Sequence, residues 1–313
     1  MNFRKICVVV IGILLSGCVG TNDNELVTEI NNEEVSESVV QANNVDDINS
    51  DTIIIEESNQ IISLIDPAGD TVVERILCPD GFVRVEEDND TFGSYLRKSQ
   101  LKPDGTKVLL FNGRAKWNQS IHTAVFDIDV GDRDLQQCAD ATMRLWAEYL
   151  RSIGQEDKIH FNFTNGFRVE YSKWMEGYRI KVDGNNVTWI KSKEPSNSYD
   201  TFMGYMKIIY AYAGTLSLAN ELQAVDVGDM KIGDVFVQGG SPGHAVIVVD
   251  MAENASTGEQ LFLLAQSYMP AQSIHILINP SDELLSPWYV LDDRENIETP
   301  EWNFKKTDLK RYE

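Results

Sequence analysis

The sequence lacks the motifs that mark metal and nucleotide sites. No pair has His-x-x-x-His or Cys-x-x-Cys spacing, and no Walker or Rossmann glycine pattern occurs. Beyond the first 18 residues, no segment approaches the roughly 18 apolar residues of a membrane-spanning helix. We therefore predict no metal, no cofactor and no transmembrane helix in the mature chain.

Residues 19–66 have no Lys or Arg, but they contain twelve Asp or Glu. One sign of charge with low apolar periodicity predicts a disordered acidic linker. Residues 67–313 carry 25 basic and 37 acidic side chains, so they too are acidic. Because nucleic acid is bound by a basic face, this balance argues against a nucleic-acid partner.

The N-terminus has the features of an export signal. Arg4 and Lys5 precede an apolar run over residues 6–15, which is too short to span a bilayer. The run ends in Leu-Ser-Gly-Cys, which resembles the bacterial lipobox, with Cys18 as the lipidated residue. Residues 1–18 are thus predicted to be a lipoprotein signal peptide, and acylated Cys18 is predicted to tether the chain to the cell envelope. Val19 is not the Asp of inner-membrane retention, which favours the outer membrane.

Cysteine is scarce, with four residues in the chain. Cys7 lies in the signal peptide and Cys18 is the lipid site, which leaves Cys78 and Cys138 in the folded part. In an exported protein these two could form one disulfide, in which case Cys138 would be structural.

A helix is predicted over residues 134–152. Asp134 followed by Gln137 has the form of a capping box, and apolar residues recur at helical spacing up to Gly154. Cys138 would then lie in the first turn, where the helix dipole favours the thiolate. The same spacing also makes Cys138 a credible core residue.

Most of the remaining chain is predicted to form strands. A second long helix is expected over about 199–222, with Gly204 and Gly214 inside it. The other strand-like segments are 82–85, 107–111, 123–130, 159–163, 167–171, 178–182, 187–190, 234–238, 244–250 and 260–266.

The last two of these strands bring two polar residues together. If 244–250 and 260–266 form a hairpin with Asp250 opposite Gln260, then His244 lies opposite Gln266 at the same edge. A Gly-rich loop, 239–243, precedes His244 and would let a substrate backbone come close.

These positions predict a nucleophilic site. Cys138 would attack, His244 would act as base and then acid, and Gln266 would orient the imidazole. The oxyanion or substrate contacts would come from Gln137 and Gly243. His275 is either a rival third member or a further substrate contact.

The segments QQCADATMRLWAEYL, GHAVIVVD and LLAQSYMPAQSIHIL resemble a bacterial lipoprotein family known as a domain of unknown function, number 4846. More distantly, Cys138, Gly233-Asp234, His244 and Gln266 follow the order found in papain-like cell-wall cysteine peptidases of the NlpC type. This chain has Gln-Cys-Ala-Asp in place of their Asp-Cys-Ser-Gly, and about a hundred residues separate its Cys from its His. The resemblance implies an α+β fold with a papain-like core within a single domain, 67–313. It also implies a cysteine hydrolase or amidase, and peptidoglycan peptides are the substrate that its envelope location suggests.

Two alternatives stay open at this point. One is a non-catalytic envelope-binding lipoprotein of the same fold, with Cys138 buried or paired with Cys78. The other is glycoside cleavage by two carboxylates. The aromatic residues that could form a sugar platform are Trp174, Tyr178, Trp189, Trp288 and Tyr289.

Overall fold

The computed structural model describes residues 63–313. Helices and antiparallel strands are mixed along the chain, so the predicted α+β class is confirmed. The predicted signal peptide, Cys18 and nearly all of the predicted linker lie outside the described residues. Residues 64–66 hydrogen-bond to 75–77, so the folded domain includes residues before the predicted boundary at 67.

Six α-helices occur in the described part of the chain. They are α1 Val72–Arg75, α2 Phe92–Arg97, α3 Cys138–Ser152, α4 Tyr171–Met175, α5 Tyr199–Tyr212 and α6 Thr215–Glu221. Single 3-10 turns occur at Glu156–Lys158, Val227–Asp229 and Lys306–Asp308. None of the helices within 63–313 is both long and apolar enough to cross a membrane.

The strands are short apart from those at the centre. They are β1 Val83–Arg84, β2 His122–Val125, β3 His160–Asn162, β4 Arg168–Glu170, β5 Tyr178–Asp183, β6 Asn186–Lys191, β7 Gln223–Ala224, β8 Val235–Gln238, β9 His244–Glu253, β10 Gln260–Gln266, β11 His275–Leu277, β12 Tyr289–Val290, β13 Asn296–Glu298, β14 Asn303–Lys305 and β15 Leu309–Arg311.

One antiparallel sheet organises the fold. Its order is β2-β11-β10-β9-β8-β15-β7, with β1 also paired to β9 and β12 also paired to β10. Three separate hairpins, β3-β4, β5-β6 and β13-β14, lie outside this sheet. Nine of the ten residues of β9 are buried, which accounts for the almost continuous apolar sequence of this strand.

Helix α3 is the most deeply buried helix, and it packs against β9 and β10. Residues 138–145 are all buried, so this half of the helix is enclosed on every side. The predicted start at Asp134 was wrong. Asp134 accepts a hydrogen bond from the Ala271 backbone N–H at 2.7 Å, and the helix begins at Cys138 with Gln137 as N-cap.

Other predicted elements are shorter or interrupted in the structure. The long helix expected over 199–222 is two helices, because the chain breaks at Ala213-Gly214. Segment 107–111 makes isolated bridges and no strand, and segment 123–130 is a strand only as far as Val125. The central strands β8, β9 and β10 lie where the alternation and apolar runs predicted them.

Candidate functional site

The start of α3 sets the position of the thiol. Cys138 is the first helical residue, and its side chain is buried with a residual exposure of 7 %. The Asp140 carboxylate accepts a hydrogen bond from the Gln137 backbone N–H at 3.0 Å, which caps the helix. The other oxygen of Asp140, Oδ1, is buried and has no hydrogen-bond partner in the described part of the chain.

Burial dominates the acid–base behaviour of the thiol. Loss of solvent raises the Cys138 pKa to about 11, and the neighbouring Asp140 carboxyl adds to the rise. The backbone N–H groups of Ala139, Ala245 and Cys138 act in the opposite sense. The expectation of an easily ionised thiol therefore fails, because desolvation outweighs the helix N-terminus.

His244 and Gln266 meet at the end of the sheet, although their predicted register was wrong. His244 is the first residue of β9 and pairs with Gln238 of β8. In the β9-β10 hairpin, Leu263 pairs with Asp250 but Leu264 pairs with Val248. Val249 is thus an extra residue, a β-bulge. The bulge shifts the register by one residue, which brings Gln266 to the same face of the sheet as His244. The two residues are diagonal neighbours on adjacent strands.

A direct hydrogen bond joins these two side chains. The distance from His244 Nε2 to Gln266 Oε1 is 2.7 Å, and both residues are 1 % exposed. Burial lowers the pKa of His244 to about 4, with the Gln266 bond opposing this shift and Lys116 reinforcing it. His244 is therefore a neutral imidazole at neutral pH.

The amide nitrogen of Gln266 has two further partners. It donates to Glu301 Oε2 at 2.8 Å, and it lies 3.4 Å from His275 Nε2. Glu301 also forms an ion pair with Lys116 at 2.8 Å. The sequence did not predict that Glu301 and Lys116 lie at this site, because neither residue is part of a motif or a periodic pattern that would distinguish it from the other charged residues.

Aromatic rings enclose the imidazole of His244. The ring centroids of Tyr268, Trp302 and Phe304 lie 4.8, 5.4 and 5.8 Å from that of His244. Cys138 lies beside the next residue along the strand, because the Ala245 N–H approaches its sulfur. Within residues 63–313, no hydrogen bond joins the Cys138 sulfur to the imidazole.

A cavity of about 410 Å³ opens onto the thiol. Its walls are the first turn of α3, the loop 240–243, the break between α5 and α6, and the side chains of Thr164, Tyr210 and Met269. Gly243 lines this cavity, and a Cβ at this position would lie 2.4 Å from Thr215 Oγ1 and 2.6 Å from the Gly240 carbonyl oxygen. The glycine is thus required for the loop to close beside α6.

The remaining predicted residues divide into those at the cavity and those away from it. Gln137 lines the cavity, although its side-chain nitrogen already donates to Asp134 Oδ1 at 2.9 Å. His275 has no exposed surface, and neither it nor His244 is part of the cavity wall. His275 lies directly opposite Gln266 on β11.

The structure does not form the disulfide considered from the sequence. Cys78 and Cys138 are both free. Cys78 lies near Arg84, Arg97 and Asp250, toward the far end of β9.

The sugar platform considered from the sequence does not form. Trp174, Trp288 and Tyr289 are buried and pack in the core, and only Tyr178 and Trp189 are part of the β5-β6 hairpin. Within 63–313, no group of three His, Cys, Asp or Glu side chains is arranged to hold a metal ion.

These features define an α+β protein with a buried His244–Gln266 pair at the end of the central sheet and a buried cysteine, Cys138, at the start of helix α3, next to Ala245. Residues 72–311 match the family described as Domain of unknown function (4846), and the chain belongs to that family. No curated protein and no solved structure matches the chain.

Proposed function

We propose that this protein is a papain-like cysteine hydrolase or amidase, and that Cys18 anchors it by lipid in the bacterial cell envelope. The 2.7 Å bond between His244 Nε2 and Gln266 Oε1 carries the proposal, because it fixes the orientation of an imidazole whose neighbour in β9, Ala245, has its N–H at the sulfur of Cys138. The order Cys, His, Gln along the chain supports the papain-like assignment. Amide bonds of peptidoglycan peptides are the proposed substrate, on the basis of the envelope location.

The tautomer of His244 fits the role of a base. Gln266 Oε1 can only accept, so Nε2 of the neutral imidazole carries the proton, and Nδ1 keeps a lone pair. No hydrogen bond within residues 63–313 uses this Nδ1. It is therefore available to take the thiol proton.

The chemistry then follows two balanced steps. The Cys138 sulfur attacks the amide carbonyl carbon as its proton passes to His244 Nδ1, and the imidazolium returns this proton to the leaving amine as the C–N bond breaks. Water, deprotonated by His244, next hydrolyses the thioester, which releases the acid and restores the thiol. The backbone N–H groups of Cys138 and Ala139 lie at the sulfur, where an oxyanion would form.

The resting pair is neutral thiol and neutral imidazole, which has a mechanistic consequence. With the Cys138 pKa raised to about 11 and the His244 pKa lowered to about 4, a preformed thiolate–imidazolium pair is unfavourable. Proton transfer must therefore accompany attack, and hydrogen bonds of catalytic groups often tighten only when substrate binds.

The same observation favours one alternative. A deeply buried thiol with a raised pKa is also typical of a structural cysteine. In this alternative the protein is a non-catalytic lipoprotein that binds an envelope ligand in the 410 Å³ cavity. Cys138 would then only line the wall.

Alkylation by iodoacetamide at pH 7 separates the two functions. The rate at each cysteine is read by peptide mass spectrometry, with Cys78 as an internal reference. If His244 is the base, His244→Ala lowers the rate at Cys138 by roughly 100-fold, the usual size of general-base assistance, and leaves the rate at Cys78 unchanged.

His160→Ala is the matched control, because His160 is a partly exposed histidine on the separate β3-β4 hairpin. It should leave both rates as they are in the wild type. Equal Cys138 rates in the wild type and His244→Ala would reject the hydrolase and favour the binding protein.

A further inference from the structure

The proposed role of Gln266 depends on which way its amide is turned. The oxygen and nitrogen ends of the amide have nearly the same shape, and either end can face the His244 ring. Only the oxygen end makes Nε2 the protonated nitrogen and leaves Nδ1 as a base. Some neighbouring group must therefore fix the orientation of the amide.

Two groups act on the nitrogen end of Gln266. The Glu301 carboxylate, 2.8 Å from Gln266 Nε2, can only accept a hydrogen bond. His275 Nδ1 lies 2.8 Å from the Ser273 carbonyl oxygen, so it carries the proton of that ring, and its Nε2 is an acceptor facing Gln266. Both neighbours thus require the nitrogen end, although the 3.4 Å contact with His275 is the weaker one.

Glu301 is held in place by a second, buried partner. Its other oxygen lies 2.8 Å from Lys116 Nζ, and the two side chains are 18 % and 6 % exposed. Lys116 Nζ in turn lies 5.1 Å from the centre of the Tyr268 ring, which also contacts His244. An ion pair of this kind limits the movement of the carboxylate.

We propose that Glu301 is a positioning residue, which acts through the Gln266 amide to hold His244 in the Nε2-protonated tautomer. The inference rests on the proposed function, because the tautomer matters for a base. Glu301 itself contacts neither the thiol nor the cavity that Cys138 lines.

The tautomer of His244 is a direct test in the full-length protein. Glu301→Gln keeps the size of the side chain but replaces an acceptor-only group with one that can also donate. Gln266 can then turn over, so the Nδ1-protonated form of His244 should rise by about five- to tenfold, the difference between a charge-assisted and a neutral hydrogen bond. Two-bond ¹H–¹⁵N correlation spectra of the histidine rings measure this ratio.

A purely structural role for Glu301 would lower stability without changing the tautomer. Glu301→Asp keeps an acceptor-only carboxylate and should retain the wild-type ratio. If Glu301→Gln does not fold, Glu301→Met is the second variant, because it removes the acceptor at similar size and should also raise the Nδ1-protonated form; an unchanged ratio there would overturn the proposal equally. Glu298→Gln, an exposed change on the nearby strand β13, is the control and should alter neither ratio nor stability. An unchanged His244 tautomer in folded Glu301→Gln would overturn the proposal.

The alkylation rate of Cys138 in the same variants distinguishes the two proposals. A tautomer shift together with slower alkylation of Cys138 supports both the positioning role and the hydrolase. A tautomer shift without any change at Cys138, together with a His244→Ala variant that alkylates normally, retains the positioning role and rejects the hydrolase. Slower alkylation of Cys138 without a tautomer shift rejects only the positioning role of Glu301.

Discussion

Two buried aspartates lie near opposite ends of β9, and their surroundings differ. Asp250 is fully buried, and its two oxygens accept from Arg84 Nε at 2.7 Å and from Arg97 Nε at 2.5 Å. Asp140, near the His244 end, has no cationic partner among residues 63–313, and one of its oxygens is unpaired there. The charge at the Asp250 end is thus compensated, whereas the carboxyl at the Asp140 end is paired only with backbone.

Each end also has a free cysteine. Cys78 lies near the two arginines and Asp250, and burial is the largest cause of its raised pKa. Cys138 lies beside neutral polar groups and lines the cavity. At the Asp250 end the charges are paired with one another and support the fold, whereas at the other end the Cys138 thiol and the His244 imidazole are neutral at pH 7 and one Asp140 oxygen is unpaired.

The largest expected effect comes from removing the Asp250 carboxylate from its ion pairs with Arg84 and Arg97. Asp250→Ala leaves two guanidinium groups without their carboxylate, which should lower the free energy of unfolding by about 3 to 5 kcal/mol. Urea denaturation at pH 7 measures this loss. Glu253→Gln, an exposed change at the end of the same strand, is the control and should stay within about 0.5 kcal/mol of the wild type. A loss below about 1 kcal/mol in Asp250→Ala would show that the cluster is not structural.

The two cysteines provide a second contrast, in the pH dependence of alkylation. Burial holds the His244 pKa near 4, so a neutral imidazole is present from about pH 5 upward. If it assists Cys138, the alkylation rate at Cys138 should be nearly flat from pH 5 to 8, since the supply of base does not change. The rate at Cys78 should rise about tenfold per pH unit, because its pKa is raised above the ordinary thiol value and thiolate must form first.

His244→Ala should give Cys138 the same tenfold slope as Cys78. Mass spectrometry of the labelled peptides at each pH provides both profiles from one sample. A tenfold slope at Cys138 in the wild-type protein would remove the distinction between the two thiols and, with it, the case for a base.

The central strands and the His244–Gln266 pair can be predicted from sequence, because they depend on local patterns. The apolar runs of β8 to β10 and the polar residues at the ends of two strands led to His244 and Gln266. The bulge at Val249 could not be predicted, since a bulge reflects how the whole sheet twists and packs. Before the bulge the predicted register was three residues off, and beyond it, at the His244 end, two residues off; this even offset preserved the face.

The parts that sequence missed are brought together only by tertiary folding. Glu301 is 35 residues from Gln266 in the chain and has no apolar periodicity around it. The start of α3 was misplaced because Asp134 caps no helix and instead accepts from the Ala271 N–H, a contact made by a distant loop. The thiol pKa was misjudged for a similar reason, because burial of the α3 start depends on the complete core.

A further effect is expected at the Asp140 end of β9, and it depends on pH. Burial raises the Asp140 pKa to about 8, so between about pH 4 and pH 8 the folded chain keeps a proton that the unfolded chain has lost. Stability from this group therefore falls as pH rises through that window. Asp140→Asn removes the titration but keeps an acceptor for the Gln137 N–H. Its free energy of unfolding relative to the wild type should increase by up to about 1.4 kcal/mol per pH unit from pH 4.5 to pH 7.

Denaturation curves at several pH values test this sign directly. The difference between variant and wild type isolates Asp140 from His244 and His275, whose lowered pKa values of about 4 and about 3 act in the opposite direction over part of the same range. Asp282→Asn, at an exposed position, is the control, and its stability should depend on pH as that of the wild type does. Parallel curves for Asp140→Asn and wild type would mean that a cation or solvent compensates Asp140 as the arginines compensate Asp250, and the two ends of β9 would then be alike.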